Sequence, residues 1–157
     1  MIVLKFDKQI KGACQEEGHK DWINVSSIQL GVGRSITTSG SGTDRDTSNP
    51  SFSEITFSRE TDVASQELFL QACGGVSLGK AEIHFIQTAG KKNQVYLEFE
   101  LKDPIITGYS LSSGGERPSE TFSVNFTEVK QTYHAFSGEQ VVKGKPKGWD
   151  LNKNKAI

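Results

Sequence analysis

Apolar residues recur at every second position along most of this chain. Ile2, Leu4 and Phe6 share one side of a first segment, and Ile55 and Phe57 alternate with Glu54, Thr56 and Ser58. Ala81, Ile83 and Phe85 alternate with Lys80, Glu82 and His84; Val95, Leu97, Phe99 and Leu101 alternate with Tyr96, Glu98, Glu100 and Lys102. Phe122, Val124 and Phe126 alternate with Ser123, Asn125 and Thr127. Successive side chains of a strand point to opposite faces, so a period of two marks half-buried β-strands. One wet face per strand points to antiparallel pairing, because parallel sheets are covered on both sides.

Two stretches change phase. Ile23 and Val25 occupy odd positions, whereas Ile28, Leu30 and Val32 occupy even ones, and the switch falls at Ser26-Ser27. Phe122, Val124 and Phe126 give way to Val129 across Thr127-Glu128. One extra residue sends every later side chain to the other face, so the pattern predicts a β-bulge at each switch. Long strands bent midway suit a closed or strongly curved sheet.

One segment breaks the period. TDVASQELFLQACGG, Thr61 to Gly75, predicts a helix capped by Asp62 or Thr61 and ended by Gly74-Gly75. Ala64, Leu68, Phe69, Ala72 and Cys73 form its stripe at helical spacing. The expected fold is mainly β, an antiparallel β-barrel of roughly seven or more strands with one flanking α-helix. Trp149 and Leu151 offer a last short strand.

The stretch SITTSGSGTDRDTSNPSFSEI, Ser35 to Ile55, has the composition of a linker. A domain boundary there would leave a leading piece of roughly 34 residues, below the ~40 at which a chain usually needs metals or disulfides. The 157 residues therefore read as a single domain, 1–157, with 35–51 as a long projection and 137–157 as a tail rich in Lys, Gly and Asn.

The net charge of −1 gives no bulk attraction to nucleic acid. Lys143, Lys145 and Lys147 read as a solvated tail. Cys14 and Cys73 make no disulfide framework and suit a reducing compartment. MIVLKFDKQ has no basic start, no apolar run of signal length and no small-residue cleavage site. No stretch approaches the ~20 apolar residues of a membrane helix. The expectation is synthesis in the cytoplasm, with any later secretion proceeding without a cleaved signal peptide, and no membrane insertion.

No pattern for catalysis or for a cofactor emerges. His19, His84 and His134 lie far apart in sequence, without metal-ligand spacing to another His, Cys or carboxylate, and His84 reads as an exposed side chain. GVGR, Gly31 to Arg34, is a partial phosphate-loop pattern without the third glycine or the following helix; glycines at a strand end explain it better. Asp44 and Asp46 have the spacing that opens a calcium loop, but Asn49-Pro50 breaks it and Arg45 points to ion pairs instead. Glu98 and Glu100 share a strand face, as paired acids of a glycoside hydrolase could, but Lys102 follows them and no supporting residue joins them.

Three ordered stretches carry a family resemblance: HKDWINVSSIQLGVGR, TDRDTSNPSFSEITFSRETDVASQELFLQAC and ITGYSLSSGGERPSETFSVNFTEVKQTY. Together they resemble Hcp, the haemolysin-coregulated tube-protein family of bacterial type VI secretion, from the first strand to about Tyr133, with Gly148-Trp149 also fitting. The chain departs from the family at Gly12-Ala13-Cys14, where many members carry Gly-Glu-Ser. The resemblance implies a homohexamer, a ring that stacks into a tube, is expelled by a contractile sheath and carries effector proteins in its lumen. Its partners would be its own copies, the sheath and spike proteins, and effectors. The projection would be the loop that reaches the neighbouring ring, with Asp44, Arg45 and Asp46 as inter-ring contacts. Ser27 and Gln29, small and polar opposite Ile28 and Leu30, are the expected lumen-facing residues. The alternative is a monomeric β-barrel module binding a ligand or carbohydrate on Trp22, Tyr96 and Tyr109.

Overall fold

The computed structural model describes residues 1–38, 45–89, 92–138 and 140–157. The chain opens with β1 (Ile2–Phe6), crosses a loop, and continues as β2 (Ile23–Val25) and β3 (Ser27–Gln29). An arm follows, made of β4 (Val32–Gly33), β5 (Ile36–Thr38), β6 (Arg45–Thr47) and β7 (Ser51–Phe52), in which β4 pairs with β7 and β5 with β6. β8 (Ile55–Glu60) leads into the helix α1 (Ser65–Gly74). Then come β9 (Lys80–Ala89), β10 (Lys92–Lys102), β11 (Ile105–Ser112), β12 (Ser119–Asn125) and β13 (Glu128–Tyr133). The small ladder of β14 (Ala135–Ser137) and β15 (Gln140–Val142) precedes β16 (Lys147–Asp150) and β17 (Lys155–Ala156).

These strands form a seven-stranded sheet in the order β17-β16-β13-β10-β9-β1-β2 and a four-stranded sheet in the order β11-β12-β8-β3. Every pairing is antiparallel, as the alternation requires. Both sheets bury one face in a common core: Leu4, Phe6, Ile23 and Ile83 from the larger, Ile55, Phe57, Phe122 and Val124 from the smaller. Phe57 and Phe122 stack there with ring centroids 4.9 Å apart.

The two phase changes are corners, not bulges. β2 belongs to the large sheet and β3 to the small one, with only Ser26 between them. β12 and β13 are likewise in different sheets, separated by Phe126 and Thr127. A chain that passes from one wall of a core to the facing wall must invert which side is apolar. The sequence records that inversion as a shift of one residue.

The bulges lie elsewhere, at register shifts between Val95 and Leu97 and between Ile106 and Gly108. The first splits the run expected to share one face. Leu97 packs against the main core, while Val95 packs on the opposite side of the sheet with Val3, Cys14, Trp22 and Ile86. That opposite side is also partly covered, because the loop between β1 and β2 folds back over it. The loop is held by Gly12 N–H to Asp21 O at 2.8 Å and Cys14 N–H to Trp22 O at 3.1 Å. Gly12 is required there: a Cβ would fall 2.2 Å from the Trp22 carbonyl oxygen.

The helix starts at Ser65, later than a cap at Thr61 or Asp62 would set it: its N-cap is Ala64, and Asp62 caps the turn before it. Asp62 Oδ1 accepts the Ala64 N–H at 2.8 Å, and Ser65 Oγ accepts the Asp62 N–H at 2.9 Å. Gly75, at φ 65°, closes it in the left-handed conformation. The buried stripe is Ala64, Leu68 and Gln71, with Ala72 at its margin, whereas Phe69 and Cys73 turn outward. The stripe follows the i, i+4, i+7 side that faces β11 and its neighbours, which displaces two of the expected residues.

Beneath the start of the helix lies a buried ion pair. The Arg59 and Glu120 side chains are 1% and 0% exposed. Arg59 also pairs with Asp62 and donates to Asn24 O at 2.9 Å. Glu120 accepts from Ser65 Oγ at 3.0 Å and from the Tyr109 hydroxyl. Burial, and then this bond to Glu120, push the Tyr109 phenol up to about 12.

Candidate assembly surfaces

The outer face of the four-stranded sheet is paved with small uncharged groups. Ser27 stands opposite Ser58, Ser58 opposite Thr121, and Thr121 opposite Ser110. In the next row Gln29 stands opposite Thr56, Thr56 opposite Ser123, and Ser123 opposite Gly108. Hydroxyls link neighbouring strands along each row: Ser58 Oγ lies 3.4 Å from Thr121 Oγ1, and Thr107 Oγ1 lies 3.0 Å from Ser123 Oγ. Gly108 is close-packed, since a Cβ would meet Ser123 Oγ at 2.9 Å. Carboxylates appear only toward the ends of β8, where Glu54 accepts from Thr107 Oγ1 at 2.7 Å and Glu60 is exposed.

Ser27 and Gln29 therefore belong to a continuous wall, both exposed on the edge strand β3, while Ile28 between them turns toward the core beside Phe57. Sequence reading reached these two and missed Thr56, Ser58, Ser110, Thr121 and Ser123. The alternation marked Thr56, Ser58 and Ser123 as wet-face positions, but nothing local said that their strands are neighbours.

Asp44 lies outside the described residues. Arg45 and Asp46 are in β6, opposite Thr38 and Thr37, and their side chains also lie outside the described residues. The GVGR segment enters β4 rather than a helix, and its Gly31 carbonyl accepts from Ser53 N–H at 3.0 Å.

Apolar groups stand exposed around the helix: Val63, Phe69, Leu70 and Val76, with Leu111 on the underlying β11. Phe69 touches Tyr109 edge-on at 5.8 Å. Leu111 and Tyr109 lie on β11, an edge strand of the four-stranded sheet, against which the helix packs.

The histidines are not dispersed. His84 on β9 stands opposite Glu98 on β10, and the loop and the end of β13 bring His19 and His134 to the same place. His84 is half-buried, with ring contacts to Trp22 at 4.7 Å and His19 at 5.1 Å, so it is not the exposed residue the strand pattern suggested. Among the described residues no group of three His, Cys, Asp or Glu is arranged to hold a metal ion. Glu98 is engaged by His84 and His134, and Glu100 stands opposite Lys130 on the neighbouring strand.

The carbohydrate platform also fails to assemble. Trp22 is buried under the loop, Tyr109 is tied to Glu120, and Tyr96 packs against Phe85 and Tyr133. No helix among the described residues is long and apolar enough to cross a membrane.

A sheet-switching β fold with one flanking helix and a smooth polar wall defines a structural module rather than a ligand receptor. Residues 3–133 match the family model described as type VI secretion system effector, Hcp. A solved structure described as that of a type six secretion system protein is 26% identical, with a TM-score of 0.89 over 99% of this chain and 98% of that one. Hcp1 from Salmonella typhimurium is 25% identical, with a TM-score of 0.77 over 99% and 97% of the two chains. Secreted protein Hcp3 from Pseudomonas aeruginosa shares the fold at 17% identity, with a TM-score of 0.69 over 96% and 99%. Comparison with curated protein sequences returns no significant match. The chain belongs to the Hcp family, and its place in type VI secretion is that of a tube subunit.

Proposed function

We propose that the outer face of the four-stranded sheet lines the lumen of a six-membered ring, and that the ring is a passive conduit rather than an enzyme. The uncharged wall from Ser27 and Gln29 across to Ser110 and Gly108 carries this reading. Large apolar groups on such a wall would hold cargo tightly through buried area, and fixed charges would select it by sign. Hydroxyls and amides do neither. The arm from Ser35 to Ser51 reaches the neighbouring ring, where Asp44, Arg45 and Asp46 form exposed ion pairs. Each such pair is worth only ~0–1 kcal/mol, but six copies act together. Weak repeated contacts suit a tube that must assemble and later come apart. The apolar group around Phe69 and Leu70 and the edge strands supply the contacts that close the ring. The sheath and spike proteins act on the assembled tube, and effector proteins travel inside it on the way out of the cell.

The test is positional. Gln29→Cys and Thr121→Cys, each in a Cys73→Ser background, would be labelled with maleimide gold and imaged as negatively stained rings after light scattering has fixed the mass. Gold at the ring centre is the expected result; gold on the rim would overturn the lumen assignment. Arg45→Glu should weaken stacking and leave single rings intact, and unchanged tube formation would remove the arm from this role.

A further inference from the structure

Independently of the tube reading, we infer that His19, His84, Glu98 and His134 form a proton-operated latch, which pins the β1–β2 loop and the segment before β16 to the outer side of the seven-stranded sheet. The hydrogen bonds run in one line. Gly144 N–H donates to His134 Nδ1 at 3.1 Å, and His134 Nε2 lies 2.9 Å from Glu98 Oε2. His84 Nε2 lies 3.2 Å from Glu98 Oε1, and His19 Nε2 lies 2.8 Å from His84 Nδ1.

This line admits one economical protonation pattern. Gly144 has only a hydrogen to give, so His134 Nδ1 accepts and its proton sits on Nε2, donated to Glu98. His84 donates from Nε2 to the other carboxylate oxygen, so its Nδ1 accepts from His19 Nε2–H. His19 Nδ1 is buried without a partner, which a bare lone pair tolerates better than an N–H. All three imidazoles are then neutral and Glu98 is ionised. A further proton on an imidazole disturbs the line. On His134 Nδ1 it displaces the Gly144 N–H; on His84 Nδ1 it displaces His19; on His19 it leaves a buried N–H with nothing to bond. The same pattern argues against a metal: His134 Nε2 carries the proton where a ligand would need its lone pair.

The charges around the line do not remove this conflict. On β9 Glu82 stands beside His84 and is bridged to Lys80 at 3.2 Å. On β10 Glu98 and Glu100 face the line; Lys130 comes from β13, opposite Glu100, and Lys5 from β1, over Trp22. Lys143 lies on the segment the latch holds. The His84 imidazole is held below its usual range, first by burial against Trp22 and the loop, with Glu98 opposing and His19 adding to the effect. A folded-state value below the unfolded one means that stability is lost as pH falls from about 6.5, where an ordinary histidine takes up its proton.

The latch adds to other contacts on these pieces: Cys14 and Trp22 of the loop are buried with Val3 and Ile86, and Glu16 accepts from Asn93 Nδ2 at 2.6 Å. Gly144 sits so close that a Cβ would fall 2.0 Å from the Tyr133 carbonyl oxygen, and β14–β15 between His134 and Gly144 forms its own small ladder. Releasing it loosens the loop and this segment, which keep their other contacts, while both sheets remain.

The experiment is hydrogen exchange by mass spectrometry on the assembled protein at pH 7.5, 6.0 and 5.0, corrected for intrinsic rates. Opening of the segments that carry Gly12–Trp22 and Lys143–Pro146 should rise on acidification, up to about tenfold per pH unit for each proton taken up. β8 and β12 should be unchanged. Constant protection in both segments, or loss that runs parallel in β8 and β12, would overturn the inference. His84→Asn keeps an acceptor for His19 but cannot titrate, and should abolish the acid response of the loop; His134→Asn should do so for the segment around Gly144. A full acid response in either variant would remove that histidine from the latch. The wild-type comparison stands even if a variant does not fold.

Discussion

The Arg59–Glu120 pair is the most consequential polar contact of the core, and its two halves are not equivalent. Arg59→Met would leave Glu120 at 0% exposure with only the Ser65 and Tyr109 hydroxyls as donors, and would also strip Asp62 of its cation. Breaking a buried pair from one side costs ~3–5 kcal/mol, and this case belongs at the upper end. Glu120→Met leaves Arg59 its contacts with Asp62, which is 15% exposed, and with the Asn24 carbonyl. Its cost belongs near ~3 kcal/mol. The double variant removes both buried charges and fills their place with apolar atoms, which is often close to neutral, so it should lie within ~2 kcal/mol of wild type. The loss in the double variant is then far smaller than the sum of the singles, by several kcal/mol of coupling. Urea unfolding with linear extrapolation measures each value. It should be run at two protein concentrations, because assembly makes the midpoint concentration-dependent. Additive losses, or an Arg59→Met cost below ~1 kcal/mol, would refute the reasoning.

Gly12→Ala should loosen the β1–β2 loop by ~1–3 kcal/mol, since its Cβ would collide with backbone rather than a movable side chain, and faster exchange of the Cys14 amide would report it. Leu68→Ala, at a fully buried position under the helix, should cost ~2–5 kcal/mol in the same urea assay. Tyr109 keeps its proton in the folded state up to about 12, against 10.0 for an ordinary phenol, so stability should fall as pH climbs through that window. Tyr109→Phe should flatten this alkaline slope; an unchanged slope would assign it to other groups.

The strands, the helix and its cap were legible because each is a local pattern. Ile55–Phe57 and Phe122–Val124 alternate as their burial does, and Gly75 closes the helix, while its start falls at Ser65, after a turn that Asp62 caps. The corners were visible as phase changes, yet a one-residue shift looks the same whether the strand bulges or changes walls; only the pairing partners separate the two. The helix stripe was half legible, because Phe69 and Cys73 fit the period but are exposed, Phe69 touching β11 only at Tyr109. The histidine line was hidden for a geometric reason. Counting back along the β9–β10 hairpin without its bulge sets His84 opposite Leu97, and the register shift at Tyr96 is what brings it opposite Glu98. The polar wall was legible strand by strand and not as a surface, because β3, β8 and β12 are far apart in sequence.

The two corners also set where this chain can change in length. Ser26 alone joins β2 to β3, and Phe126 with Thr127 join β12 to β13. Another polar residue type at Ser26 leaves the strands in place. One residue more or fewer would turn Ile28 out and Ser27 and Gln29 in, inverting a wall in a single step. The arm between β4 and β7 stands outside both large sheets, so a change of length there leaves the phase of the core strands intact, and loop length costs little. Insertions and deletions among related chains should therefore gather in the arm and avoid the corners, whatever happens to the residue types at either place.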